Sequence, residues 1–91
     1  MPELRWLARA NSDLKSIVDY ISDDNPDAAD LLLQDIEMRV DQLLEQPRSG
    51  RVGRVAGTRE LVVKPNYIVV YAEGRDGVEI LRVLHAARLW P

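Results

Sequence analysis

The apolar positions of the chain change period twice. Glu3 to Ala8 alternates loosely around Trp6, which predicts a short first strand. Leu14, Ile17, Val18 and Ile21 then recur at the spacing of one helix face, with Asn11 or Ser12 as the expected N-cap. Asp23-Asp24-Asn25-Pro26 interrupts that helix. Asn25 reads as the next N-cap, with Pro26 at the first helical position, where a missing N–H costs nothing. Asp27 and Asp30 sit near the positive end of the helix dipole. A second helix is predicted to about Glu45, with Ala29, Leu33, Ile36, Val40 and Leu43 as the seam of a helical hairpin. Leu31 and Met38 fall off that seam, seven residues apart, as core breadth or as a groove for a partner helix.

Pro47 to Gly57 breaks helicity and spaces Arg48, Arg51 and Arg54 three apart, either on an exposed connector or on an anion-seeking arm. Its glycines match neither the dinucleotide fingerprint nor the phosphate loop. Beyond it the period becomes that of strands. Arg59 to Lys64, Tyr67 to Glu73 and Val78 to His85 form a meander, turned at Pro65-Asn66 and at Gly74-Arg75-Asp76-Gly77. A two-residue first turn pairs Lys64 with Tyr67, Val62 with Val69 and Glu60 with Tyr71. A four-residue second turn pairs Tyr71 with Ile80, Val69 with Arg82 and Tyr67 with Leu84. One face then carries Leu61, Val63, Ile68, Val70, Ala72, Leu81 and Val83, with Arg59 paired to Glu79, and is the expected partner of the helices. The other is amphipathic and mixes Glu60, Lys64, Tyr67, Tyr71 and Arg82 with aliphatic residues. Either the tail after His85 covers it or it is a docking surface. His85 near a strand end reads first as a hydrogen-bonded structural residue, and Trp90 as a packing anchor.

Composition narrows the chemistry. The 91 residues suit one domain, spanning 1–91. With 46% hydrophobic and 30% charged residues the chain has the balance of a folded soluble domain. No apolar run approaches the ~18 residues that a membrane span needs. The opening Met-Pro-Glu-Leu-Arg-Trp lacks the apolar core of a signal peptide, so a cytoplasmic location is expected. No cysteine is present, which removes disulfides, thiolate catalysis and iron–sulfur clusters, and the single histidine removes a multi-histidine metal site. No cofactor is expected. The net charge of −3 conceals an asymmetry: residues 1–46 hold eleven acids and four bases, residues 47–91 eight bases and four acids. Opposed solvated faces, or a surface for an anionic partner, both fit this split.

Several segments in order carry a family likeness: Trp6 in a first strand, Asn25-Pro26-Asp27-Ala28-Ala29, Pro47-Arg48-Ser49-Gly50-Arg51, and Gly57-Thr58-Arg59-Glu60-Leu61-Val62-Val63. Asn66-Tyr67-Ile68-Val69-Val70-Tyr71 and Ile80-Leu81-Arg82-Val83-Leu84-His85-Ala86-Ala87-Arg88 complete it. Together they resemble the RelE/ParE superfamily of toxins from type II toxin–antitoxin systems. The resemblance implies an α+β fold, β-α-α-β-β-β, with the helical hairpin on one face of a small antiparallel sheet. It also implies a cognate antitoxin partner that folds onto the toxin surface. Superfamily members divide between ParE-like poisons of DNA gyrase and RelE-like endoribonucleases that cleave mRNA on the ribosome.

The nuclease branch needs a base for the 2′-OH, cations for the phosphate and an acid for the leaving oxygen. Arg59, Lys64, Arg82 and His85 are the candidates. The chain ends Leu-Trp-Pro rather than in the Tyr or His frequent in that branch, and has only two lysines. Binding to ribosomal RNA gains from neutralised phosphates, which an acidic chain does not favour. The expectation is therefore a ParE-like, gyrase-binding toxin without bond chemistry of its own. Arg82, His85, Arg88 and Trp90 are its expected target contacts. Leu31, Met38, Tyr67, Tyr71, Arg51 and Arg54 are its expected antitoxin contacts, the partner supplying apolar anchors and acidic groups.

Overall fold

The computed structural model describes residues 2–63 and 66–87. The order is β1 (Glu3–Trp6), α1 (Ala8–Asp24), α2 (Pro26–Gln42), β2 (Arg51–Val52), β3 (Arg59–Val63), β4 (Tyr67–Gly74) and β5 (Gly77–His85). The sheet runs β1-β5-β4-β3-β2, and the helical hairpin covers one face. β1 lies parallel to β5 while the other pairs are antiparallel, so the sheet is mixed, with one strand more than expected. The extra strand, β2, is two residues of the arginine loop paired to β3. Two residues are too few to show a period in sequence.

The two helices begin differently, α1 directly after an extended strand and α2 directly after α1. α1 starts at Ala8, ahead of the expected cap, because β1 hands over to it directly. Leu7 N–H donates to Ile80 O at 3.0 Å, and Asn11 N–H already returns to Leu7 O at 3.1 Å. The N-cap, Leu7, has no capping side chain. Burial of Ala10 against the sheet holds this first turn instead. Asn25 alone separates the helices, and its Oδ1 accepts Ala28 N–H at 3.1 Å ahead of Pro26, as expected. α2 ends at Gln42, and tighter turns carry the chain on to Gln46. Its buried positions are Ala29, Leu32, Ile36 and Val40, continued by Leu43. Leu32, not Leu33, thus fills the seam, because Leu32 lies one helical turn before Ile36 on the same face.

The expected sheet register is corrected in two places. Val63 pairs with Tyr67, and Leu61 with Val69, so three residues rather than two separate the paired ends of β3 and β4. The β4–β5 turn pairs Tyr71 with Ile80 as expected, but Val70 then pairs with Arg82, leaving Leu81 as a bulge. Each slip of one residue exchanges the faces. Tyr67, Val69, Tyr71, Val78 and Ile80 therefore join Leu61, Val63 and Val83 beneath the helices. Ile68 and Val70, expected beneath the helices, form a second cluster with Leu84, flanked by Leu81 and Ala86. β4 is buried from Ile68 through Tyr71, on both faces, as a central strand should be. The expected Arg59–Glu79 pair is absent: Glu79 lies 3.8 Å from Arg5 across the β1–β5 seam, and Arg59 reaches the loop.

One glycine is required at that seam. Gly77 has φ +148°, and a Cβ there would collide with the backbone of Glu3, its partner in β1. Gly77→Ala is expected to lower stability by about 3 kcal/mol, from positive-φ strain plus displacement of β1. Chemical denaturation measures this, and a shift under about 0.5 kcal/mol would contradict the tight β1–β5 approach.

Candidate functional site

Two carboxylates with little exposure organise the polar groups of the chain. Asp13, midway along the first half of α1, faces β5 just beyond the bulge. Its Oδ2 accepts from Arg82 Nε at 2.7 Å and from Val83 N–H at 3.1 Å, while Oδ1 accepts from Arg82 Nη2 at 3.1 Å. The side chains are 13% and 12% exposed, so the fork-to-fork pair is largely withdrawn from water. Hydrogen bonding to Asp13 raises the Arg82 pKa above its ordinary value, so the guanidinium stays charged. The expected exposed Arg82 is thus corrected: its side chain is 12% exposed, with Nε and Nη2 held by Asp13 of α1.

Glu60, only 2% exposed, is the second. Its Oε1 accepts from Arg51 Nε and Nη2 at 3.1 and 2.9 Å. Its Oε2 accepts from Arg54 N–H at 3.2 Å and lies 3.5 Å from Arg54 Nε. The loop arginines therefore find their anion inside the chain, although part of each guanidinium stays exposed. Arg59 Nη1 donates to Gly50 O at 2.8 Å. Tyr71, expected at a partner surface, is fully buried because the three-residue connection turns it inward. Its hydroxyl donates to Pro47 O at 2.7 Å and accepts Gly50 N–H at 3.0 Å, tying the loop to the central strand.

The open surfaces lie elsewhere. Ser16, Ile17 and Tyr20 of α1 face Tyr67 and His85 across a shallow hollow of about 300 Å³. Tyr67 and His85 meet edge to face at 5.6 Å, and His85 Nδ1 accepts Ala87 N–H at 3.2 Å. In the neutral ring this leaves the proton on Nε2. Tyr20, 78% exposed, was not signalled, because it lies off the apolar stripe of α1. Leu31 and Met38 are 63% and 56% exposed on the outer face of α2. Lys64, Arg88 and Trp90 lie outside the described residues.

Of the four candidates for nuclease chemistry, Arg82 is held by Asp13 and Arg59 by a loop carbonyl, while His85 stands beside Tyr67. Each of the three thus has a different partner within the fold. The described residues contain no cluster of three or more potential metal ligands, and no helix long and apolar enough to cross a membrane.

Residues 4–90 match the family described as the ParE toxin of the type II toxin–antitoxin system parDE. The chain belongs to this family, and so is a toxin of the RelE/ParE superfamily. Among its relatives, the protein Y4kP of Sinorhizobium fredii is 48% identical over 89 residues, covering 97% of this chain and 92% of the relative. Toxin RelE2 of Caulobacter vibrioides is 40% identical over 89 residues, covering 98% and 100%. The fold is similar to the chromosomal ParDE toxin–antitoxin structure from P. aeruginosa, at TM-score 0.82 and 27% identity over 93% of this chain and 96% of that one. The E. coli DinJ–YafQ complex shares the fold alone, at TM-score 0.67 and 13% identity over the full length of both chains.

Two outcomes follow from the buried groups. Arg82→Ala strands a half-buried carboxylate and should cost about 3 kcal/mol, read as a loss of thermal stability. An unchanged melting temperature would show that Asp13 and Arg82 are not paired in solution. Burial raises the Tyr71 pKa above that of an ordinary phenol, despite its bond from Gly50. The folded state therefore holds this proton more tightly than the unfolded chain. Its contribution is complete below about pH 10 and is lost as pH rises through the folded value. Tyr71→Phe removes both loop bonds, at a cost of about 1–3 kcal/mol, and should flatten the alkaline loss of stability. Denaturant melts between pH 8 and 11 measure both effects.

Proposed function

We propose that the chain arrests growth in the ParE manner, by binding DNA gyrase, and is held in check by a cognate antitoxin. The observation that carries this reading is the engagement of Arg82. A phosphate-stabilising cation of a nuclease must be free to meet the scissile group, whereas the Nε–Nη2 edge of Arg82 is taken by Asp13 and serves the fold. Binding requires only a shaped surface with a few anchors. His85, with Arg88 and Trp90 following it in sequence, is the proposed target contact. Membership of the ParE family and likeness to a ParDE structure support the same reading.

A second reading rests on one feature. His85 beside Tyr67 and Tyr20 offers an imidazole, two phenols and a stacking surface, components that a ribosome-dependent endoribonuclease could use. The 40% identity to a relative named RelE2 keeps it in view. The readings separate on His85→Gln. Under gyrase binding the variant keeps most of its inhibition of supercoiling, since glutamine preserves the size and hydrogen bonding of the contact and no proton moves. Under nuclease action it loses about 10²-fold or more of mRNA cleavage. Arg88→Ala should weaken gyrase inhibition while the fold persists. Gyrase inhibition and ribosome-dependent cleavage, assayed side by side on the wild type and both variants, decide between them. Cleavage by the wild type that is lost in His85→Gln would overturn the gyrase reading.

A further inference from the structure

The outer face of α2 combines two features that no ion pair or hydrogen bond among the described residues uses. Leu31 and Met38 stand two helical turns apart, about 10.5 Å along the axis, and both are mostly exposed. Exposed carboxylates of Asp27, Asp30, Glu37 and Asp41 lie along one flank of them. Among the described residues none of these four acids is in an ion pair. The single base of α2, Arg39, is turned away from them. It bonds Asp35 at 3.1 Å and reaches Val62 O of β3 at 3.5 Å. The ridge thus offers two apolar anchors in a field of uncompensated negative charge.

We propose that this ridge seats a basic amphipathic segment of the cognate antitoxin, an inference that rests on the toxin–antitoxin reading above. The segment presents apolar side chains to Leu31 and Met38, with lysines or arginines flanking them toward Asp30, Glu37 and Asp41. This reverses the charge expected of the partner from sequence, where loop arginines called for acidic groups. Two of those arginines share the buried Glu60. A second copy of the chain is a poor occupant, because closing two such ridges on each other would oppose like charges. The contact is an electrostatically assisted apolar one, so it should weaken with salt, as exposed charges are screened over about 8 Å at physiological ionic strength.

The test uses the full-length chain and the purified antitoxin encoded beside its gene. Affinity is measured at 50 and 300 mM salt, and antitoxin rescue of growth is scored in parallel. Leu31→Ser with Met38→Ser should weaken binding at least about tenfold and abolish rescue. Asp30→Asn, Glu37→Gln and Asp41→Asn combined should weaken it about tenfold at low salt and flatten the salt dependence. Glu3→Gln with Asp76→Asn, exposed acids on and beside the β1–β5 seam, serves as the control and should change nothing. All of these substitutions are on the surface, and circular dichroism melts verify that the folds persist. Antitoxin that binds all variants as it binds the wild type places the seat elsewhere and overturns the inference, while the toxin–antitoxin reading stands. A serine variant that weakens binding beside an amide variant that does not overturns the basic partner. Self-association of the free chain that disappears in the serine variant would assign the ridge to a second copy. A wild-type chain that neither binds the antitoxin nor arrests growth would fail the reading itself.

Discussion

The carboxylate of Asp13 is the point on which the two layers are aligned. It accepts three hydrogen bonds from β5, two from Arg82 and one from the backbone of Val83, immediately after the bulge at Leu81. Apolar packing alone would let α1 slide along the sheet with small changes in buried area. A forked ion pair with little exposure permits one position, since misplacing it leaves charges unpaired out of water. With α1 fixed, Ile17 and Tyr20 come to stand over Tyr67 and His85, and the hollow at that end follows. The bulge lies immediately beside this contact. Without the extra residue in β5, Arg82 would pair opposite Val69 on the regular alternation rather than opposite Val70.

Glu60 plays the corresponding part for the loop. A carboxylate this buried needs compensation, and Arg51 and Arg54 supply it from one side while Arg54 N–H supplies it from the backbone. Tyr71 fastens the start of the same loop through Pro47 and Gly50. What reads as a free basic arm in sequence is thereby a folded flap with its own short strand. The residue that makes it so lies in β3, six to nine positions away, and no local pattern links the two.

The helical hairpin was legible because its signals are local. Asn25-Pro26 states both a stop and a start, and the apolar stripe has the helical period over its full length. The β-α-α-β-β-β order and the strand segments were legible for the same reason. The sheet faces were not, since they depend on counting residues across one connection and one bulge. A miscount of one exchanges Val70 with Val69 and Tyr71 with Ala72. Burial of β4 on both sides removed the alternation that would have exposed the error. Of the site, Leu31 and Met38 could be read as off-seam apolar residues. The inward turn of Tyr71 could not, because it follows from that register, and the Asp13–Arg82 pair could not, because it joins positions 69 apart in sequence. Tyr20 carried no signal, as a tyrosine on an exposed helix flank is unremarkable until its neighbours are known.

The charge asymmetry of the chain acquires a different meaning once the contacts are assigned. The second half is rich in arginine, yet those arginines are largely committed: Arg51 and Arg54 to Glu60, Arg82 to Asp13, Arg59 to a loop carbonyl, and Arg48 toward Glu73 at 3.6 Å. Most of these contacts lie within the sheet half itself, and only Arg82 draws an acid from the helices. The helical half, with eleven acids against four bases before residue 47, therefore keeps most of its negative charge at the surface. Asp13, Glu60 and Glu73 together offset three positive charges of the sheet half, while the hairpin presents a surface rich in carboxylates. The quantity that governs association at each surface is what remains after internal pairing, and on the hairpin it is acidic.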